Sequence, residues 1–348
     1  MARRPSARRR IERLVEDWAP AIRAAFLEAI GNLTSSIEIG RVADAIEAGS
    51  IAEAIAAMHL DRAAFASLES AIRQTYAAGG TATAQTLPPL SDASGRRIVV
   101  RFDVANPRAE AWLRTHGGQL VTDIVDDQEV AIREALTRGM QAGENPRRVA
   151  LDIAGRINRA TGQREGGVVG LTSQQESFAA RAQAELTGDD WANYFTRKRR
   201  DRRFDRQLRR YLEEGRRPPD DLVRRATSSY RNRLLQLRAE NISRLESKGA
   251  LHSAEDESFR QAVDSGALER EHVRRTWRHV SNENAREQHE AMDGQERGLD
   301  EPFEAPDGTR IMYPCDPSAP LGHTINCHCQ LETRIDFVAQ ALARRGRR

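Results

Sequence analysis

Apolar residues near the start of the chain recur at helical spacing. Ile11, Leu14, Val15, Trp18, Ile22, Phe26 and Ile30 form one stripe of a 3.6-residue helix, and Gly31 is placed to close it. The same period predicts helices over about 41–58 and 61–78, with Asp61 capping the second and Gly79-Gly80 stopping it. Residues 81–94, with Pro88, Pro89 and then Gly95, read as a linker. Ile98, Val99 and Val100 make 97–104 a strand candidate, halted by Asn106-Pro107. Pro107 then opens a helix, 126–140 forms another, and Asn145-Pro146 caps a third to about residue 160, before a loop from Gly162 to Gly170. Ser173-Gln174-Gln175-Glu176 has capping-box spacing for a helix through Leu186. Pro218-Pro219 separates a short helix from a long one over 220–247, whose apolar residues include Leu222, Val223, Leu234, Leu235, Ile242 and Leu245. Beyond Gly249 the composition changes: glycine, proline, histidine and cysteine rise, and strand-like runs appear at 273–280 and 330–337.

This pattern predicts a mainly α fold. An elongated helical N-terminal region (1–90) and central region (91–249) are followed by a small α+β module (250–337) and a basic tail (338–348). With 5% aromatic and 30% charged residues, the helices are expected to carry thin apolar stripes, and 348 residues exceed what one core usually serves. No apolar run approaches the roughly 18–20 residues that cross a bilayer, and the arginine-rich start lacks a signal peptide's apolar stretch. No membrane partner is expected, and the chain should remain in a cytoplasm.

The net charge of +3 is small, so local clusters matter more. Arginines group at Arg3, Arg4 and Arg8 to Arg10, through the segment 197–233, and at Arg344, Arg345, Arg347 and Arg348. From Thr196 to Arg233 basic residues exceed acids by nine, enough to attract a phosphate backbone through counterion release. Arg199, Arg200, Arg202, Arg203, Arg209 and Arg210 are the candidate DNA contacts; the alternative is a solvated face against an acidic protein partner. The terminal clusters are expected to be disordered tails.

All three cysteines, Cys315, Cys327 and Cys329, fall within fifteen positions. In a reducing compartment such clustering favours metal or packing over disulfides. A Cys-x-Cys pair on a strand puts both thiols on one face, and a preceding helical His could complete part of a tetrahedral zinc site. The candidate structural ligands are His289, Cys327 and Cys329, with His323 or Cys315 as fourth; the alternative is that the thiols pack as small apolar groups while His289 bonds a carbonyl. Trp277 is expected as a core anchor, Gly294 and Gly308 at positive φ, and Asn326 in a turn. Arg286 is expected to pair with a carboxylate or cap the unit or, less simply, to bind phosphate. No P-loop, nucleophile elbow, His-Glu-x-x-His or dinucleotide fingerprint occurs, so neither an enzyme nor a small-molecule substrate is expected. A metal nuclease site built from His279, Asn282, Asn284, His289, Cys327 and Cys329 is the nearest catalytic alternative.

One ordered set of short signatures carries further information. Trp277 is followed by Arg286-Glu287-Gln288-His289, Asp293-Gly294, Glu301-Pro302-Phe303, Pro314-Cys315-Asp316-Pro317 and Asn326-Cys327-His328-Cys329. Order and spacing resemble the phage Mu protein F-like minor head protein family over about 60 residues. Two positions depart from its pattern: His328 stands where the family has Arg, and Cys315 where Gly is commoner. The resemblance implies a minor capsid protein of a tailed phage or prophage, acting in head morphogenesis. Its implied partners are the portal protein, major capsid or scaffold subunits, and packaged double-stranded DNA. Its implied place is the head interior or portal vertex, after assembly in the host cytoplasm. A DNA-binding internal protein delivered with the genome is the other alternative. Because the chain ends soon after Asp336, no appended toxin domain is expected.

Overall fold

The computed structural model describes residues 7–88, 90, 91, 94, 96–281 and 285–346. Along the chain run α1 (Ala7–Ser36), α2 (Ile39–Glu47), α3 (Ile51–Ala56), α4 (Ala66–Ala84), the short pair β1 (Leu90–Ser91) and β2 (Arg97–Ile98), α5 (Pro107–Gln141) and α6 (Pro146–Ala154). A second short pair, β3 (Arg156–Ile157) and β4 (Arg164–Glu165), precedes α7 (Ser173–Thr187), α8 (Trp191–Tyr194), α9 (Asp205–Glu213) and α10 (Asp220–Asp264). Then come β5 (Val273–Arg278), α11 (Glu287–Ala291), β6 (Glu296–Arg297), β7 (Phe303–Glu304), β8 (Arg310–Ile311), α12 (Leu321–Thr324), β9 (Gln330–Ile335) and α13 (Phe337–Gly346). The fold is mainly α, with its longest strands near the C-terminus, as the hydrophobic pattern predicts.

Several boundaries differ from the local expectation. Gly31 does not close α1, because Leu33 and Thr34 continue its buried face. The helix expected over 41–58 breaks into α2 and α3 at Gly49, where φ is +80° and Ser50 caps the new start. Asp61 caps a 3-10 turn over Arg62–Phe65 that leads into α4. Gly79-Gly80 lies inside α4 rather than ending it: a Cβ on Gly79 would meet Leu251 at 2.8 Å and one on Gly80 the Phe102 ring at 2.4 Å. Close packing, not chain reversal, requires these glycines. The linker therefore starts only after Ala84, and Pro89 and Gly95 lie outside the described residues.

Strand pairing over 97–104 reaches only Ile98, and Val99 is exposed. The two helices expected after Pro107 are the single helix α5, since Leu113, Val121, Ile124 and Val125 extend one buried stripe. Asn145 caps α6 as predicted, but Gly155 ends it at Ala154 and the β3–β4 pair follows. The capping box of α7 belongs to Thr172 and Gln175, one position earlier than its sequence signature; the Ser173 hydroxyl instead donates to Glu134 at 2.9 Å. The helix α10 continues from 247 to Asp264 because Ala250, Leu251, Ala254, Phe259 and Ala262 prolong its buried face, so residue 249 falls inside it. The basic tail is helical over α13, where Gln340 is buried and donates to Ala267 O at 3.1 Å. At the other end Arg8 of α1 pairs with Glu12 and Arg10 of α1 with Glu255 of α10, while Arg3, Arg4, Arg347 and Arg348 lie outside the described residues.

The chain divides into two compact units. One comprises Ala25–Ser67 and Gly118–Glu240. Its core includes Leu171, Leu186, Tyr194, Leu208, Leu222 and Tyr230. The fully buried Glu176 accepts from Arg138 Nη2 at 2.6 Å and from Arg231 Nε and Nη2 at 2.9 and 2.8 Å. Such pairing is what permits a carboxylate in an apolar interior.

The other unit comprises Met1–Ala24, Leu68–Gly117 and Asn241–Arg348. Its antiparallel sheet has the order β6-β5-β9, with Trp277 opposite Leu331 and Arg278 opposite Gln330. Arg275, in the central strand, is fully buried. Its guanidinium donates to Asp256 Oδ1 on α10 at 2.9 Å, Met312 O at 3.0 Å, Gly298 O at 2.9 and 3.1 Å, and Glu301 O at 2.6 Å. Asp256 also accepts from Arg260 at 2.7 Å. Burial lowers the Arg275 pKa and raises that of Asp256 against the pull of the neighbouring arginines. Desolvation of this pair is therefore costly, and complete hydrogen bonding is what offsets it. Replacing Arg275 by Met leaves Asp256 with Arg260 alone and strips the Gly298, Glu301 and Met312 carbonyls of their donor, with an expected loss of about 3–5 kcal/mol in urea unfolding. The double variant Arg275→Met/Asp256→Leu should recover only the part that comes from the Asp256 charge, since the three carbonyls stay without a donor and Arg260 loses a partner. A single variant within about 1 kcal/mol of wild type would contradict this assignment.

Candidate metal centre

Strand β5 carries Trp277 into a core shared with Phe303, Ile311, Tyr313 and Leu331. Its backbone is fixed by Gly294, whose N–H donates to Trp277 O at 3.0 Å and whose φ is +77°. Gly308 likewise has φ +82°. From this anchor α11 brings His289 edge-on to the Trp277 ring, with centroids 5.5 Å apart and the imidazole 2% exposed.

Cys327 and Cys329 lie in the extended approach to β9 rather than on the strand itself, which starts at Gln330. Both are nonetheless buried and face the same imidazole nitrogen: His289 Nδ1 is 3.5 Å from Cys327 Sγ and 3.6 Å from Cys329 Sγ. The three ligand atoms all lie within 4.8 Å of one another. The turn before them is made by Asn326 at φ +55°, and Lys248 Nζ donates to Cys327 O at 2.8 Å.

The other ring nitrogen of His289 is also engaged. Nε2 lies 3.3 Å from His323 Nδ1, the two rings stack, and His323 Nε2 is 2.9 Å from Asp307 Oδ2. The backbone N–H of Thr309, and then the His323 ring, hold the Asp307 carboxyl down to about 2. An ionised Asp307 can only accept, so His323 donates through Nε2 and, as a neutral ring, accepts through Nδ1. His289 then donates from Nε2 and presents the Nδ1 lone pair to the two sulfurs. These proton positions follow from the partners each ring meets.

The expected fourth ligands sit elsewhere. His323 occupies the far side of His289. Cys315, at φ +61°, directs its thiol to Thr324 O at 3.7 Å and Cys327 O at 3.9 Å. Hydrogen bonding from Cys315 and then Cys329 draws the Cys327 thiol well below its ordinary value. The Cys315 and Cys329 thiols are driven up, first by their bonds to Cys327 and then by burial. His279, at the end of β5, has Nδ1 3.9 Å from Cys329 Sγ; Asn282 and Asn284 lie outside the described residues.

Other signature residues serve the fold. Arg286 donates to Ile325 O instead of pairing with a carboxylate. Pro314 is buried, and Asp316 accepts from Met312 N and Ser318 N, each at 2.9 Å, closing the Pro-Cys-Asp-Pro turn. The sequence reading missed Arg275, Asp256 and Asp307, because an isolated arginine or aspartate carries no local mark of burial.

Several arginines of the segment make contacts within the fold, although Arg203, Arg209 and Arg210 remain exposed. Arg200 pairs with Asp205 at 2.9 Å, Arg203 with Asp201 at 2.6 Å and Arg210 with Glu214 at 3.3 Å, while Arg209 lies 3.9 Å over the Phe195 ring. Arg199 and Arg202 are exposed and make no ion pair among the described residues. Also among the described residues, no helix is long and apolar enough to cross a membrane.

No protein-family model and no solved structure matches the chain. Among curated proteins it is 33% identical over 102 residues to "Uncharacterized protein YqbB" of Bacillus subtilis (strain 168), a stretch covering 28% of this chain and 31% of that protein. The match spans about a third of the relative's length.

The depressed pKa of Asp307 gives a pH test. Its contribution is fully present above the ordinary carboxylate range, near pH 4, and fades as the pH falls towards about 2. The stability difference between wild type and Asp307→Asn should therefore shrink over that interval in acid unfolding. A constant difference would contradict the Asp307–His323 pairing.

Proposed function

We propose that this chain is a minor head protein of a tailed phage or prophage, joining the portal or the inner capsid during head assembly. The observation that carries the reading is the ordered signature set from Trp277 to Cys329, with its resemblance to the Mu F-like family. The roles of those residues support an assembly part over a catalytic one. Trp277 packs, Gly294 and Asn326 turn the chain, Asp316 closes a turn, and His289 faces two buried thiols. A metal nuclease needs an open coordination position beside a general base, whereas the His289 lone pair points into a packed interior.

Portal, major capsid or scaffold subunits are the proposed protein partners, in the assembling cytoplasm and then inside the virion. Mass spectrometry of purified heads and proheads, with cryo-electron microscopy of the portal vertex, should find the chain at low copy number. Its absence from both particles would overturn the reading.

Contact with packaged DNA is proposed through Arg199 and Arg202, two exposed residues of the arginine segment that make no ion pair among the described residues. Each phosphate neutralised contributes about one unit to the slope of log K against log salt. Gel-shift titrations with double-stranded DNA should give a slope that falls by about 2 in Arg199→Ala/Arg202→Ala. An unchanged slope would remove these two residues from the interface.

A further inference from the structure

We propose that Cys327, Cys329, His289 and His279 bind one zinc ion, which clasps the end of β5, helix α11 and the approach to β9. This goes beyond the head-protein reading and does not depend on it. A tetrahedral zinc with Zn–S near 2.3 Å and Zn–N near 2.0–2.1 Å sets its sulfur and nitrogen ligands about 3.6 Å apart. His289 Nδ1 stands 3.5 and 3.6 Å from the two sulfurs, the nitrogen-to-sulfur spacing such an ion sets, and all three ligand atoms lie within 4.8 Å of one another.

The His289 Nδ1 lone pair can fully accept from only one thiol at a time, yet two buried thiols converge on it. A divalent cation accepts lone pairs from all three groups, and a mixed thiolate and imidazole set suits zinc. On binding, each cysteine releases its proton to solvent and both imidazoles bind as neutral rings, leaving a complex of no net charge. That neutrality suits a buried site.

The surroundings are arranged as outer support for such a centre. Asp307 and His323 fix the His289 ring and its tautomer, a carboxylate-to-histidine arrangement that orients metal ligands. For the fourth vertex, His323 meets the other imidazole nitrogen, and the Cys315 thiol, which bonds the Cys327 thiol and also lies near the Thr324 and Cys327 carbonyls, is the competing candidate. His279 has Nδ1 3.9 Å from Cys329 Sγ and is half-buried at the strand end, and turning its ring towards Cys327 and His289 would complete the set. With four protein ligands the site is closed, hence structural.

The test uses the full chain expressed with zinc supplementation. Elemental analysis should find close to one zinc per chain, and chelation should lower the thermal unfolding midpoint. Cobalt replacement should give a tetrahedral visible spectrum with a thiolate-to-metal charge-transfer band. Cys327→Ser and Cys329→Ser should each weaken that band. His279→Ala should lower affinity at least tenfold while keeping it, and His323→Ala should lower affinity about 10–100-fold. Cys315→Ser should keep the metal. If ligand variants fail to fold, chelation of the wild type still decides the matter. Wild type without stoichiometric zinc, or unmoved by chelation, overturns the proposal. Zinc lost in Cys315→Ser but held in His279→Ala overturns the choice of fourth ligand. Presence in phage heads is a separate measurement, so the two readings fail independently.

Discussion

The C-terminal half is organised around one demand, the full hydrogen bonding of the buried Arg275 guanidinium. A guanidinium cannot shed its charge in a protein interior, so a buried one must find an acceptor for each N–H. Here Asp256 of α10 supplies the charge, and the carbonyls of Gly298, Glu301 and Met312 supply the rest. Strand β5, the segment between β6 and β7, and the residues after β8 are thereby tied to one helix.

The same constraint reappears around His289, with weaker acids and bases. Asp307 fixes His323, His323 fixes His289, and the remaining lone pair meets Cys327 and Cys329. Trp277 and Phe303 close the apolar side of this row, with ring centroids 5.4 Å apart. Rigidity comes from strands of two to six residues only because side chains, rather than long ladders, hold them together. In the unit containing Glu176, two arginines solve the same problem for a buried carboxylate.

Most helices were legible because burial writes a 3.6-residue period into the chain, and α1, α7 and α10 carry it plainly. Their ends were less legible. Gly31, Gly79 and Gly80 look like stops, yet Gly79 and Gly80 are there so that Leu251 and Phe102 can approach. The Ser173 signature was one residue off because Thr172 offers the same hydroxyl, while Glu176 was drawn inward by Arg138 and Arg231. Within the candidate site, the grouping of His289, Cys327 and Cys329 could be read from residue type and order. The place of His323 on the opposite nitrogen could not, since sequence does not record which face of a ring a neighbour meets.

By itself, then, the sequence determined a mainly helical chain, a change of character near Gly249, and the ordered signatures from Trp277 to Cys329. These follow from local periodicity and residue chemistry. Tertiary structure alone decided which arginines of the 197–233 segment are consumed by ion pairs, which histidine nitrogen faces the thiols, and that Arg275 is buried. Each depends on residues far apart in the chain meeting at hydrogen-bond distance, and a charged side chain carries no local sign of whether water or a carboxylate will surround it.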